Sequence, residues 1–247
     1  MKTHLTKLRI HIAPVGFEYD RIVLPAVQMK ADKVWLIREA NPSKEKASKY
    51  IEMIRKDLQK KNIQVAYAES DRQDLFDILK TVKEIFEKEM DNDSYVNVSS
   101  GSKIQAISCM MACMMFREYT PTPYYAEPEE YASTQGKPQS SGLKDIVDLP
   151  KYEMRKPKRE LIEALKIIQE KNSPITKKEM AILAEQKNLI TVTAQDENKN
   201  QARYASLDKN IIKPLEEQWK FVIVEKIGRN HLIKMTPEGR NAAKFLT

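Results

Sequence analysis

Seven residues in a row, Asn97-Val98-Ser99-Ser100-Gly101-Ser102-Lys103, bring together an amide, three hydroxyls, a glycine and an ammonium group. If a helix starts at Lys103, the backbone N–H groups of its first turn also lack intrahelical partners and carry the positive end of the helix dipole. That set suits a phosphate or a carboxylate. The same serines also suit simple helix capping, a routine use of Ser. Neither G-x-x-x-x-G-K-[ST] nor G-x-G-x-x-G occurs in the chain, so neither of those phosphate-binding loops is present. A second segment, Ala13-Pro14-Val15-Gly16-Phe17-Glu18-Tyr19-Asp20-Arg21, offers a glycine for tight backbone geometry and Asp20 as the cap of a following helix. Tyr124, Tyr125 and Glu127 could frame a base or a ribose, or serve as ordinary sheet and edge residues.

The elements around these segments alternate regularly. Short β-like runs lie at Leu8–Ala13, Lys33–Arg38, Ile63–Ala68, Ser94–Ser99 and Pro123–Glu127, and amphipathic segments at about Asp20–Lys30, Ser43–Lys61, Asp71–Met90 and Lys103–Glu118. Right-handed crossovers put such helices on both faces of a parallel sheet, so residues 1–150 are expected to form a Rossmann-like, doubly wound α/β domain. With strand order 3-2-1-4-5, strands 1 and 4 are neighbours at the point where the order reverses, which is where such sheets bind ligands. The two distinctive loops leave those two strands. The expected ligand residues are therefore Val15, Gly16, Phe17, Asn97, Ser99, Ser100, Gly101, Ser102, Lys103 and Tyr125.

Residues 151–247 differ in charge and in pattern. The whole chain carries a net charge of +7, with 22 basic and 22 acidic residues up to residue 150 and 20 against 13 beyond it, so the excess sits entirely in the second part. A solvated lysine-rich surface or a polyanion partner would account for it. A loop at Tyr131–Gly142 and a last strand at Leu143–Leu149 lead to this part. Apolar spacing predicts a helix over Arg159–Lys171, and Thr176 with Glu179 reads as a capping box opening a second. A third spans about Asn200–Gln218, with Tyr204, Leu207, Ile211, Leu215 and Trp219 on one stripe. Strands at Lys220–Lys226 and His231–Met235 and a helix at Pro237–Phe245 follow. That order is a winged helix-turn-helix, whose third helix enters the DNA major groove. The expected contacts with double-stranded DNA are Gln201, Arg203, Ser206, Lys209, Asn210 and Lys213 on that helix, with Arg229 and His231 at the wing. Thr191–Lys199 forms a longer turn than the motif needs.

Other chemistries find little support. Cys109 and Cys113, in the run AISCMMACMMF, read as small core fillers on one helix, because a metal site would need two more ligands. No metal or cofactor is expected. His4, His11 and His231 are too few and too scattered for a Ser-His-Asp or Cys-His constellation. No stretch approaches a membrane span and no signal-peptide core opens the chain, so a cytoplasmic protein without a membrane partner is expected.

The segment SSGSK between a strand and a helix, together with the PVGFEYDR loop, resembles the ligand loops of CARF domains, the CRISPR-associated Rossmann-fold sensors, and most of all their archaeal regulators with a C-terminal winged helix. Both domains are covered in order. The resemblance implies a homodimer joined through the sensor domains, a cyclic oligoadenylate or related nucleotide bound across the dyad, and ligand-responsive transcription regulation, with CRISPR-associated genes as candidate targets. Many CARF proteins have Thr or Gly where this chain has Ser99 and Ser100, so the exact ligand stays open. CARF proteins with a ribonuclease domain carry an Arg followed by a His on a helix, and no His here follows an Arg at that spacing. Two alternatives remain: a ring nuclease that cleaves its own ligand with Ser100 and Lys103 stabilising charge, and a winged helix that binds a protein partner.

Overall fold

Strand β1 (Arg9–Pro14) is buried along nearly its whole length, the mark of a strand covered by helices on both faces. A computed structural model, which describes residues 6–131, 139–171, 174–193, 198–228 and 230–247, shows that sheet. With β2 (Lys33–Glu39), β3 (Gln64–Ser70), β4 (Asp93–Asn97) and β5 (Thr122–Glu127), β1 forms a parallel sheet in the expected order β3-β2-β1-β4-β5. A short ribbon of β6 (Glu130–Tyr131) and β7 (Ser140–Ser141) follows, and β8 (Asp145–Asp148) then adds antiparallel to β5. Pairing of Ile12 with Trp35 on one side and Val96 on the other fixes the register at the centre.

Helices α1 (Asp20–Gln28), α2 (Ser48–Lys60), α3 (Leu75–Lys88) and α4 (Lys103–Met115) connect the strands. Ala13, Val34 and Leu36 of the sheet pack with Ile22, Val23 and Ala26 of α1 and with Ile51, Ile54 and Leu58 of α2. Helices α3 and α4 pack on one another, burying Ile78, Val82 and Phe86 on α3 and Cys109, Ala112 and Cys113 on α4. Each such aliphatic or aromatic side chain contributes about 1.5–3 kcal/mol relative to exposure. Burial raises both thiols well above the ordinary range, Cys109 to about 12, which suits inert core fillers.

One expected helix cap is absent and two expected helix starts move, each for a local reason. Asp20 opens α1 but does not cap it; its carboxylate takes the Gly142 N–H at 2.8 Å. The helix expected from Ser43 begins at Ser48, because Glu45 takes the N–H groups of Glu39 and Ala47 and leaves only a single turn at Pro42–Lys44. Likewise Asp71 accepts from the Gln73 N–H, and Asp74 caps α3 through Phe76 and Asp77.

The chain divides into two compact units, Met1–Arg155 and Lys156–Thr247. In the second, α5 (Arg159–Glu170), β9 (Ile175–Thr176), α6 (Lys177–Gln186), α7 (Lys199–Leu207), β10 (Val222–Ile227), β11 (Asn230–Met235) and α8 (Pro237–Leu246) follow in the order of a winged helix. The sheet order is β10-β11-β9. Strand β9 is too short to leave a periodic signal, so it was not expected. Thr176 caps α6 through the Glu179 N–H, but Glu179 itself pairs with Lys171 rather than closing the box. Helix α7 continues to Gln218 with the wider winding of a π-helix. Pro214 explains it: a proline removes one N–H and clashes with the carbonyl four residues back, and wider winding relieves that clash.

Candidate functional site

The two loops expected at the switch point touch. A Cβ built on Gly16 would lie 3.1 Å from the Gly101 Cα, so the loop after β1 and the loop after β4 meet backbone to backbone. Gly101 has φ +77°, and its own Cβ would lie 2.8 Å from both Pro14 and Gln105, so only glycine fits. Ser100, buried, donates its hydroxyl to the Pro14 carbonyl at 2.8 Å. Ser102 caps α4 and forms a capping box with Gln105. Asn97 donates to the Arg21 carbonyl at 2.7 Å and accepts from both the N–H and the hydroxyl of Ser99.

These side chains therefore build the turn, and the groups left without partners are mostly backbone. Among the described residues no acceptor meets the N–H groups of Ser100 and Gly101, and Lys103 and Ile104 open the helix, where N–H groups have no intrahelical partner. Lys103 is exposed. Val15 is a core residue whose N–H goes to Ile37 and whose carbonyl accepts from Arg72 at 3.1 Å. Phe17 is exposed and packs edge-on against Tyr50. Tyr125 is half-buried.

Sequence reasoning left out three neighbours of this pair of loops, the expected ligand crevice. Arg21, 5% exposed, donates from Nε to the Ala126 carbonyl at 2.9 Å, lies 3.6 Å from Glu18 and stacks on the Tyr125 ring at 4.7 Å. Its Nη2 is buried and meets no acceptor among the described residues. Gln105 likewise has a buried Nε2 without an acceptor. Arg72, whose Nη2 supports Val15, lies beside the carboxylates of Glu39 and Glu45. Only Arg21 stood in a quoted motif; Gln105 completes the Ser-x-x-Gln spacing of a capping box, a signal that was there to be read, and Arg72 lies in a loop with no distinguishing pattern. Deeper in β1, His11 bonds Tyr124 at 3.1 Å, and burial lowers its pKa to about 4, so it is neutral at pH 7. A cavity of about 350 Å³ opens at the ends of β2 and β3, and its Arg38 and Glu69 pair with each other at 2.7 Å.

In the second unit, Gln201, Lys209, Asn210 and Lys213 are exposed along the third helix, and Ala205 is exposed among them. Ser206 donates to the Thr191 carbonyl and accepts from Asn210, which holds the turn before the helix. Arg203 is tied at 2.5 Å to Glu185 of α6 and at 3.0 Å to Asn200, its side chain only 18% exposed. His231 is exposed, whereas Arg229 lies outside the described residues, as does His4. The exposed amides and ammonium groups are of the kinds that contact bases and phosphates.

Residues 9–131 match the family model described as HFX_2341 N-terminal-like, and residues 160–247 match that of the DUF6293 C-terminal winged helix domain. The uncharacterized protein MJ1513 of Methanocaldococcus jannaschii is 31% identical over 218 residues, covering 76% of this chain. The chain spans 65% of that relative, less than two thirds of its length. Among solved structures, Csm6 of Enterococcus italicus bound to cyclic hexa-2'-fluoro-hexa-dAMP aligns at 10% identity, covering 86% of this chain and 56% of that one, with a TM-score of 0.43. Can2 of Sulfobacillus thermosulfidooxidans in complex with cyclic tetra-adenylate aligns at 13% identity, covering 95% and 61%, with a TM-score of 0.42. No described helix is long and apolar enough to cross a membrane.

Proposed function

Starting from a C-terminal unit that is a DUF6293 winged helix domain and an N-terminal unit with a Rossmann-like sheet, we propose that the chain is a ligand-responsive DNA-binding transcription regulator. The observation that carries the ligand half is the contact of Gly16 with Gly101, which gathers open N–H groups, Lys103 and buried unmet donors at the reversal of strand order. Donors without acceptors favour an anion. The resemblance of the SSGSK and PVGFEYDR loops to CARF ligand loops supports a cyclic oligoadenylate or a related nucleotide as that anion. A homodimer would complete the site across its dyad. Ile104 and Ile107, exposed on α4 next to Lys103, offer it an apolar face.

The DNA half rests on the exposed Gln201, Lys209, Asn210 and Lys213 and on a positive excess confined to this part of the chain. Two winged helices in a dimer suit a two-fold site, and a ligand that favours one dimer geometry would change DNA affinity by its differential binding. The ring-nuclease alternative has less to work with, since the Ser100 hydroxyl is committed to Pro14.

Calorimetric titration with cyclic tri-, tetra- and hexa-adenylate tests the ligand half. We expect one ring size to bind, and Lys103→Ala to weaken it about tenfold or more, the usual loss for a charge-assisted bond. Absence of binding for every ring would overturn the nucleotide assignment. Chromatography of the incubated ligand then separates a sensor, which returns it intact, from a ring nuclease, which returns linear products.

A further inference from the structure

Arg21 stands out among the buried side chains of the first unit because its charge is only partly answered. It extends from the start of α1, after β1, to the carbonyl of Ala126 at the end of β5. Its backbone carbonyl is meanwhile held by Asn97 at the end of β4. Arg21 therefore ties the start of α1 to the carboxyl ends of two neighbouring strands, β4 through its backbone carbonyl and β5 through its guanidinium. Glu18, its one carboxylate neighbour among the described residues, stands 3.6 Å from Nη1 and also accepts the Ser140 hydroxyl. Nη2 meets nothing among the described residues. A buried charged donor without an acceptor is costly, and an anionic oxygen placed there removes that cost. The Tyr125 ring on the guanidinium is half-buried, and its hydroxyl bonds the exposed Tyr131 at 3.0 Å.

We propose that Arg21 is an anion-binding residue of the crevice, receiving a phosphoryl oxygen of the ligand on Nη2 once the Tyr125–Tyr131 pair turns aside. Glu18 is its competitor: the carboxylate balances Arg21 in the free protein and opposes the incoming anion. This assignment rests on the anion-binding reading of the crevice but not on the identity of the nucleotide.

The two charges give opposite tests. In Glu18→Gln the amide oxygen can still accept from Ser140 while the negative charge is gone, so anion affinity should rise several-fold. Arg21→Gln should lower it about tenfold or more, and Arg21→Lys should fall between. A merely structural ion pair would show no gain in Glu18→Gln. Two probes are used on the full chain: inorganic pyrophosphate, read by thermal shift at fixed ionic strength, and the cyclic adenylate panel, read by calorimetry. A pyrophosphate response that follows the Arg21 and Glu18 variants, with no cyclic adenylate bound, supports the assignment and overturns the ligand class. Cyclic adenylate binding unchanged in Arg21→Lys and not raised in Glu18→Gln overturns the assignment while leaving the proposed function standing. A wild-type protein indifferent to both probes overturns both. If Arg21→Gln fails to fold, the signs of Glu18→Gln and Arg21→Lys decide.

Discussion

At Asn97, Ser100 and Ser102 the side chains predicted to meet a ligand turn inward, and each holds part of the turn itself. Residue type alone could not separate these uses, because a serine hydroxyl serves a cap and an anion equally well. Arg203 gives a similar lesson. Its guanidinium clamps α6 to α7 through Glu185, so Arg203→Ala should destabilise the winged helix unit by about 1 kcal/mol, measured by urea unfolding. Lys209→Ala and Lys213→Ala should instead leave stability unchanged and each lower the salt slope of DNA binding by about 1. His11 makes a pH prediction. Its folded pKa of about 4 lies below the ordinary 6.5, so the unfolded chain binds more protons between those values. The stability of the first unit should therefore fall as pH drops from 6.5 toward 4, by about 3 kcal/mol in all. His11→Asn should flatten that slope in denaturation series run across the window.

At the scale of elements, the alternation of apolar runs with amphipathic segments was enough to read the five parallel strands, four connecting helices and their order. Boundaries shifted where side chains captured backbone N–H groups, as Glu45 and Asp71 do, since such local bonds leave no periodic trace. Strand β9 and the wide winding near Pro214 also escaped the pattern, the first for its length and the second because a single proline gives several outcomes in a helix. The crevice itself was legible as two loops at a topological switch. The contact between Gly16 and Gly101, the captured Ser100 hydroxyl and the open donors of Arg21 and Gln105 all depend on three-dimensional packing. Gly101→Ala should destabilise the first unit by at least 1–2 kcal/mol in thermal melts, through both its φ and the Pro14 contact.

For the whole molecule, the proposed function couples anion binding in one unit to DNA binding in the other, and that coupling separates it from two independent binders. The two halves could each function alone, so binding of either ligand by itself does not test it. What tests it is DNA affinity for the chain's own upstream region, measured by fluorescence anisotropy at several salt concentrations with and without saturating cyclic oligoadenylate. Coupling predicts salt-dependent binding whose affinity shifts at least five-fold in one direction with one ring size, the lower end of ordinary allosteric coupling. It also predicts that Lys103→Ala weakens the response to ligand while the affinity for DNA without ligand stays the same. DNA affinity that is identical with every ring, in a protein that demonstrably binds one of them, would contradict it.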